Sequence, residues 1–153
     1  MKAYTSTLAT VGLDLREKRA RYRTRKHEQH AAPDTLVEVG DDMVPFSAVA
    51  SLAGKLGIEV VDLLGVIRMP DRTAARRKAG GYLKADEADR LLRVARVFEE
   101  ATRVFGSEEK ASAWLHAAHP LLGEVPAYRL LDSDAGAKTV SDELIRIDYG
   151  DFA

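Results

Sequence analysis

Apolar residues in the middle of the chain recur at helical spacing, and the expected elements follow from that recurrence. Val49, Leu52, Ala53 and Leu56 stand at i, i+3, i+4 and i+7, which predicts a helix with one buried face. Pro45 suits its first turn and Gly57 its C-terminal cap. A second short helix from about Glu59 carries Val60, Leu63, Leu64 and Ile67 on one face, until Pro70 and Asp71 break the pattern. Arg72 to Ala79 reads as a third helix, rich in arginine and small residues, stopped by Gly80 and Gly81. The longest helix starts near Ala85–Asp86 and runs to Phe105. Its apolar stripe is Ala88, Leu91, Leu92, Ala95, Phe98, Thr102 and Phe105, with Arg90, Arg93, Arg96, Glu100 and Arg103 outside. Gly106 stops it. Ser107 is a good N-cap for the next helix, which has Glu108 and Glu109 in its first turn and carries Ala111, Trp114 and Leu115. That helix ends before Pro120. Pro126 opens a short helical turn with Leu130 and Leu131. Asp132 or Ser133 begins a last helix with Ala137, Val140, Leu144 and Ile147 inward, and Gly150 ends it. No repeat and no convincing run of strands is visible, so the expected fold class is all-α.

The front of the chain reads differently. Leu15 to His30 is almost entirely charged, and its few apolar residues form no stripe. It is either a frayed basic arm or a helix held by a partner. Pro33, Gly40 and Pro45 punctuate the stretch that follows, a connector over 31–44 with a short extended piece at Leu36–Val39.

Composition narrows the class. With 153 residues, 46% hydrophobic and 31% charged, the chain reads as one ordinary globular domain, or two small ones sharing a core. No run of about 18 apolar residues exists, so no membrane span is expected. Met1 to Leu15 has no apolar stretch followed by a small-residue cleavage site, so no secretory leader is expected. The absence of cysteine excludes disulfides, thiol nucleophiles and cysteine-type zinc sites. The cytoplasm is the expected location.

The net charge of −1 conceals a gradient. Residues 1–33 hold eight Lys/Arg against three acids, and residues 120–153 hold seven acids against three bases. A basic front and an acidic end point to two different partners, or to charges that merely solvate a surface.

The candidate chemistry lies in two places. The short helices Glu59–Ile67 and Arg72–Ala79, joined by a tight break, have the form of a helix–turn–helix. The second displays Arg72, Thr73, Arg76, Arg77 and Lys78. In such a unit the second helix enters the major groove, its first side chains read base edges, and other Arg and Lys grip phosphates. Arg72 and Arg76 lie one turn apart, and Thr73 is small enough to admit close approach. A solvated basic helix is the alternative. The second place is the C-terminal third, where Trp114, Tyr128, Leu130, Leu131, Tyr149 and Phe152 are large groups in a short span. Trp114 reads as core. Tyr149 and Phe152 lie beyond the last apolar periodicity, so they either meet another protein or fold back on their own domain.

Other chemistry has little support. His27 with His30, and His116 with His119, are spaced i, i+3, but neither pair forms H-E-x-x-H, and no metal or other cofactor is expected. No nucleophile elbow, dinucleotide fingerprint or P-loop occurs, so no catalytic residue and no enzyme activity is expected.

An ordered series of residues then resembles a known family. It comprises Leu83-Lys-Ala-Asp-Glu-Ala-Asp-Arg-Leu-Leu-Arg-Val-Ala-Arg-Val, Val104-Phe-Gly, Ala113-Trp-Leu, Pro120-Leu-Leu-Gly, Pro126, Leu130-Leu, Ala135-Gly-Ala, Leu144 and Arg146-Ile-Asp-Tyr-Gly. It is similar to the Xre/MbcA/ParS group of antitoxins, over about Pro45 to Ala153. The resemblance implies an all-helical protein in three parts: a basic arm over 1–33, an Xre-like helix–turn–helix over 34–84, and a helical toxin-binding domain over 85–153. It implies a homodimer that neutralises a RES-domain toxin, one that consumes NAD or transfers ADP-ribose, by covering its active cleft. It also implies binding to operator DNA, as an autorepressor. The DNA-facing set is then Arg68, Arg72, Thr73, Arg76, Arg77 and Lys78. The toxin-facing set is Leu144, Arg146, Ile147, Tyr149, Gly150, Asp151 and Phe152, with Tyr149 to Ala153 at the position of the plugging segment. Arg68 and Pro70 stand where the family has a turn glycine and a helix-opening serine. Arg68 is therefore expected in a left-handed conformation, with Asp71 as the available cap. A stand-alone helix–turn–helix regulator with a C-terminal dimerisation domain is the other class.

Overall fold

The computed structural model describes residues 44–150. The basic arm, with His27 and His30, and the extended piece at Leu36–Val39 lie outside the described residues, as do Asp151 to Ala153.

The first described contact is one that periodicity does not reveal. Phe46 N–H donates to Gly81 O at 2.9 Å and Leu83 N–H to Val44 O at 2.9 Å, so 44–46 runs antiparallel to 81–83. Pro45 faces Tyr82 between those bonds, at the position where its missing N–H costs nothing. Pro45 is accordingly not in the first turn of a helix. Helix α1 is Ser47–Leu56, with Phe46 at its N-cap. Val49, Leu52, Ala53 and Leu56 are almost fully buried, as the spacing predicts. Gly57 ends α1 in the left-handed region at φ 69°.

Helix α2 is Val60–Val66 and α3 is Asp71–Gly80. Leu63, Leu64 and Ile67 are buried, but Val60 is exposed and Val66 takes its place inside. Val60 opens the helix, and its side chain lies at the solvent edge. The α2–α3 turn is a complete Schellman motif. Arg68 N–H donates to Gly65 O at 3.0 Å and Met69 N–H to Leu64 O at 2.8 Å. Buried Met69 and Leu64 accompany it, and Arg68 holds φ 53°. The left-handed arginine is the expected one. Asp71, however, does not cap α3: Pro70 occupies the N-cap with no side-chain bond, and Asp71 is the first helical residue.

Helix α4, Ala85–Phe105, is the spine. Its buried arc is wider than the expected stripe. Val94, Val97 and Ala101 join Ala88, Leu91, Leu92, Ala95 and Phe98 inside, while Thr102 and Phe105 are only partly covered. The reason is that several elements pack around α4: α1, helix α5 (Glu108–His116) and helix α6 (Asp134–Asp148). Arg93, expected outside, is also largely covered. Its guanidinium pairs with Asp134 on α6 at 2.6 Å, and its side chain is 15% exposed. Ser107 caps α5 as expected, accepting from Lys110 N–H at 3.2 Å.

Between α5 and α6 the chain forms a two-residue ribbon, β1 (Ala118–His119) against β2 (Val125–Pro126), antiparallel, where no strand was expected. Strands this short carry no alternation to read. A 3-10 turn at Pro120–Leu122 lies within the ribbon, and a second 3-10 segment, Ala127–Asp132, leads to α6. Ser133 caps α6, accepting from Gly136 N–H at 3.1 Å. Gly136 is required there, because a Cβ at that position would lie 1.9 Å from Leu130 O. Ala137, Val140 and Leu144 of α6 are buried and Ile147 half-buried.

Candidate functional site

The helix–turn–helix presents two kinds of basic residue. Arg72, Arg76 and Lys78 on α3 are exposed, and Thr73 is half-buried beside them. Arg72 and Arg76, at i and i+4, share a helix face. Arg68 and Arg77 are already engaged. Arg68 Nη2 donates to Asp132 Oδ2 at 2.7 Å, joining the turn to the 3-10 segment before α6. Arg77 Nε donates to Glu87 Oε2 at 2.6 Å, with the two side chains 13% and 8% exposed. The hydrogen bond from Arg77 is the main reason the Glu87 carboxyl lies below its ordinary range; burial opposes it, and the Lys84 N–H at 2.8 Å adds to it.

Sequence reasoning missed Glu87. A partial signal existed, since Glu87 stands three residues after the helix-opening Lys84, where a glutamate reaches back to the N-cap N–H.

At the other end, the seven residues set against a toxin divide sharply. Leu144 is fully buried, so it holds α6 to the core and has no surface to offer. Arg146 Nη1 pairs with Glu143 at 3.1 Å, and Ile147 is half-buried. Tyr149 is 84% exposed, and Gly150 follows it in the left-handed region at φ 71°. Asp151 and Phe152 lie outside the described residues. Ile145, one turn before Tyr149, is also an exposed large apolar residue, and was not anticipated. Its signal was its position off the stripe of Ala137, Val140 and Leu144. Arg103 Nη1 of α4 meets Asp148 at 2.8 Å, so the last turn of α6 is tied to α4 just before Tyr149.

His116 and His119 serve the fold. His116 Nε2 lies 2.9 Å from Leu56 O, whereas His119 lies in β1, stacked on Trp114 with its Nε2 2.8 Å from Trp114 O. The two rings therefore do not share a helix face. Trp114 is half-buried between Phe105 and His119 and packs on the core. Among the described residues, no helix is long and apolar enough to cross a membrane.

These features define a class: a mainly helical protein with a helix–turn–helix ahead of a second helical unit. Residues 36–96 match the antitoxin Xre-like helix-turn-helix domain, and residues 100–150 match the antitoxin Xre/MbcA/ParS C-terminal toxin-binding domain. The chain belongs to the Xre/MbcA/ParS antitoxin family. It is 34% identical over 91 residues to Antitoxin Xre of Photorhabdus laumondii, covering 58% of this chain and 62% of that one. It is 30% identical over 98 residues to Antitoxin Xre of Yersinia enterocolitica, covering 63% and 66%. The matches thus span a little under two thirds of the length of these relatives.

Proposed function

We propose that the chain is the antitoxin of a toxin–antitoxin pair, acting without catalysis. Its C-terminal region covers the active cleft of a RES-domain toxin that consumes NAD or transfers ADP-ribose. The observation that carries this reading is Tyr149. A large aromatic, 84% exposed at the end of a packed helix, has more apolar surface in water than its own domain uses. Exposed aromatics that become buried on binding anchor protein interfaces. The excess of acids over 120–153 suits a cationic cleft. Within the set Leu144, Arg146, Ile147, Tyr149, Gly150, Asp151 and Phe152, the contact falls to the residues from Tyr149 onward, and Leu144 supports them from the core.

The helix–turn–helix gives the second half of the proposal. As a homodimer in the cytoplasm, the protein represses its own operon through Arg72, Thr73, Arg76 and Lys78. The test is co-expression with the product of the neighbouring gene, with cellular NAD measured in the presence and absence of the chain. A stable complex and preserved NAD are expected, and deletion of Tyr149 to Ala153 should leave the fold and abolish protection. Full protection by the truncated chain would refute the cleft reading. Absence of any complex would favour a stand-alone regulator, for which Arg72 and Arg76, both exposed, would supply the DNA contacts.

A further inference from the structure

Helix α3 is weakly held by apolar contact. Ala74 is the one side chain it buries, where α1 buries five and α4 nine. Pro70 gives it no side-chain cap. Methyl-sized burial cannot by itself fix a ten-residue helix against the domain. What does join α3 to the spine is the Arg77–Glu87 pair. Glu87 is the sole buried charged residue among the described residues, 6% exposed, and it lies in the first turn of α4. One of its oxygens, Oε2, receives both Arg77 Nε at 2.6 Å and the Lys84 backbone N–H at 2.8 Å. The same carboxylate therefore closes the start of α4 and fastens the last turn of α3. Its site is complementary to negative charge, since it lies at the positive end of the long helix. A second tie, at the same end of α3, is the pairing of 44–46 with 81–83.

We infer that Glu87 is the positioning residue of the recognition helix, and that Arg77 is its internal partner rather than a nucleic-acid contact. The inference rests on the DNA-binding reading for its consequence, but the anchor itself can be measured without DNA. Breaking a buried pair from one side leaves an unpartnered charge. Loss of either partner should therefore loosen α3 while the body of α4 beyond its first turn, and α6, stay closed. The orientation of Arg72 and Arg76 would then be lost, although neither has been changed.

The experiment uses the full chain with Glu87→Gln, Arg77→Gln and the double variant. Amide hydrogen exchange is followed over α3, α4 and α6. Binding is titrated against salt on a duplex from upstream of the chain's own gene and on a random duplex. In both single variants exchange should rise in α3 and not in α6. Affinity for the upstream duplex should fall about tenfold, the loss of one oriented base contact. The salt slope should stay at the parental value, and the double variant should be no worse than Arg77→Gln. A phosphate-contacting Arg77 would give the opposite pattern: Arg77→Gln would lower the slope by about one, and Glu87→Gln would bind as tightly as the parent or more tightly. That pattern, or unchanged exchange in α3 of Glu87→Gln, overturns the inference. If the parent binds neither duplex, the DNA reading fails and the exchange data still decide the anchor.

Discussion

Arg68 offers a test in which the usual order of two substitutions inverts. At an ordinary helical site glycine is less stable than alanine by about 0.5–1 kcal/mol, because it loses more backbone freedom on folding. Arg68 has φ 53°, where a Cβ costs about 1–2 kcal/mol. Replacing it by glycine removes that strain, and replacing it by alanine retains it. Both lose the Arg68–Asp132 pair equally. That pair contributes about 0–1 kcal/mol, since its side chains are 61% and 39% exposed. After the glycine entropy is subtracted, Arg68→Gly should exceed Arg68→Ala by about 1 kcal/mol. Three residues earlier, Gly65 provides the control. It is helical and exposed, with open space around the position of a Cβ. Gly65→Ala should therefore stabilise by about 0.5–1 kcal/mol. Urea unfolding, with m unchanged across the set, reads both differences as shifts in midpoint. An Arg68→Ala variant as stable as Arg68→Gly would refute the strain argument and the Schellman geometry behind it.

Gly136→Ala should destabilise by about 2 kcal/mol or more, because the added Cβ meets backbone at Leu130 O rather than a movable side chain, and urea unfolding will measure it. The Glu87 carboxyl lies below its ordinary value of 4.5 through Arg77, so its contribution is complete above that pH and is lost as pH falls through the lower folded value. Protection of the α3 amides, corrected for the intrinsic exchange rate at each pH, should fall along that acid limb in the parent, and Glu87→Gln should flatten it.

The parts of the fold that periodicity could reveal are those with a single buried face. The i, i+3, i+4, i+7 set of α1 and the inward residues of α6 follow from sequence, as do the stops at Gly57 and Gly106. What a one-face reading cannot supply is the second covered side of α4, since Val94, Val97 and Ala101 look like outer positions until several elements pack around the helix. Pairing of 44–46 with 81–83 depends on residues nearly forty positions apart, and two-residue strands leave no pattern. The arginines show the limit most clearly. In sequence, Arg76, Arg77 and Lys78 are three equivalent charges, and only the position of Glu87 separates the middle one from its neighbours.

That separation changes what a DNA titration should read. Five cationic residues, Arg68, Arg72, Arg76, Arg77 and Lys78, would each displace a counterion if all met phosphate, giving a slope of log K against log salt near −4.5 per protomer at about −0.9 per contact. Arg77 is largely buried against Glu87, and Arg68 is paired with Asp132 on the opposite half of the protein. The three exposed cationic residues of α3, Arg72, Arg76 and Lys78, are then the ones free to reach the duplex, and they should contribute a slope near −2.7 per protomer. Arg72→Ala with Arg76→Ala should bring that contribution toward −0.9 if both contact phosphate. If they read base edges, affinity falls for the upstream duplex by about 1–3 kcal/mol per contact while the slope barely moves. A chain shortened to residues 34–153 isolates this term from the basic arm. A slope of −4 or steeper in that shortened chain would mean that both Arg68 and Arg77 leave their carboxylates for the phosphate backbone, and the two ion pairs would then be the resting contacts of a helix–turn–helix that rearranges on DNA.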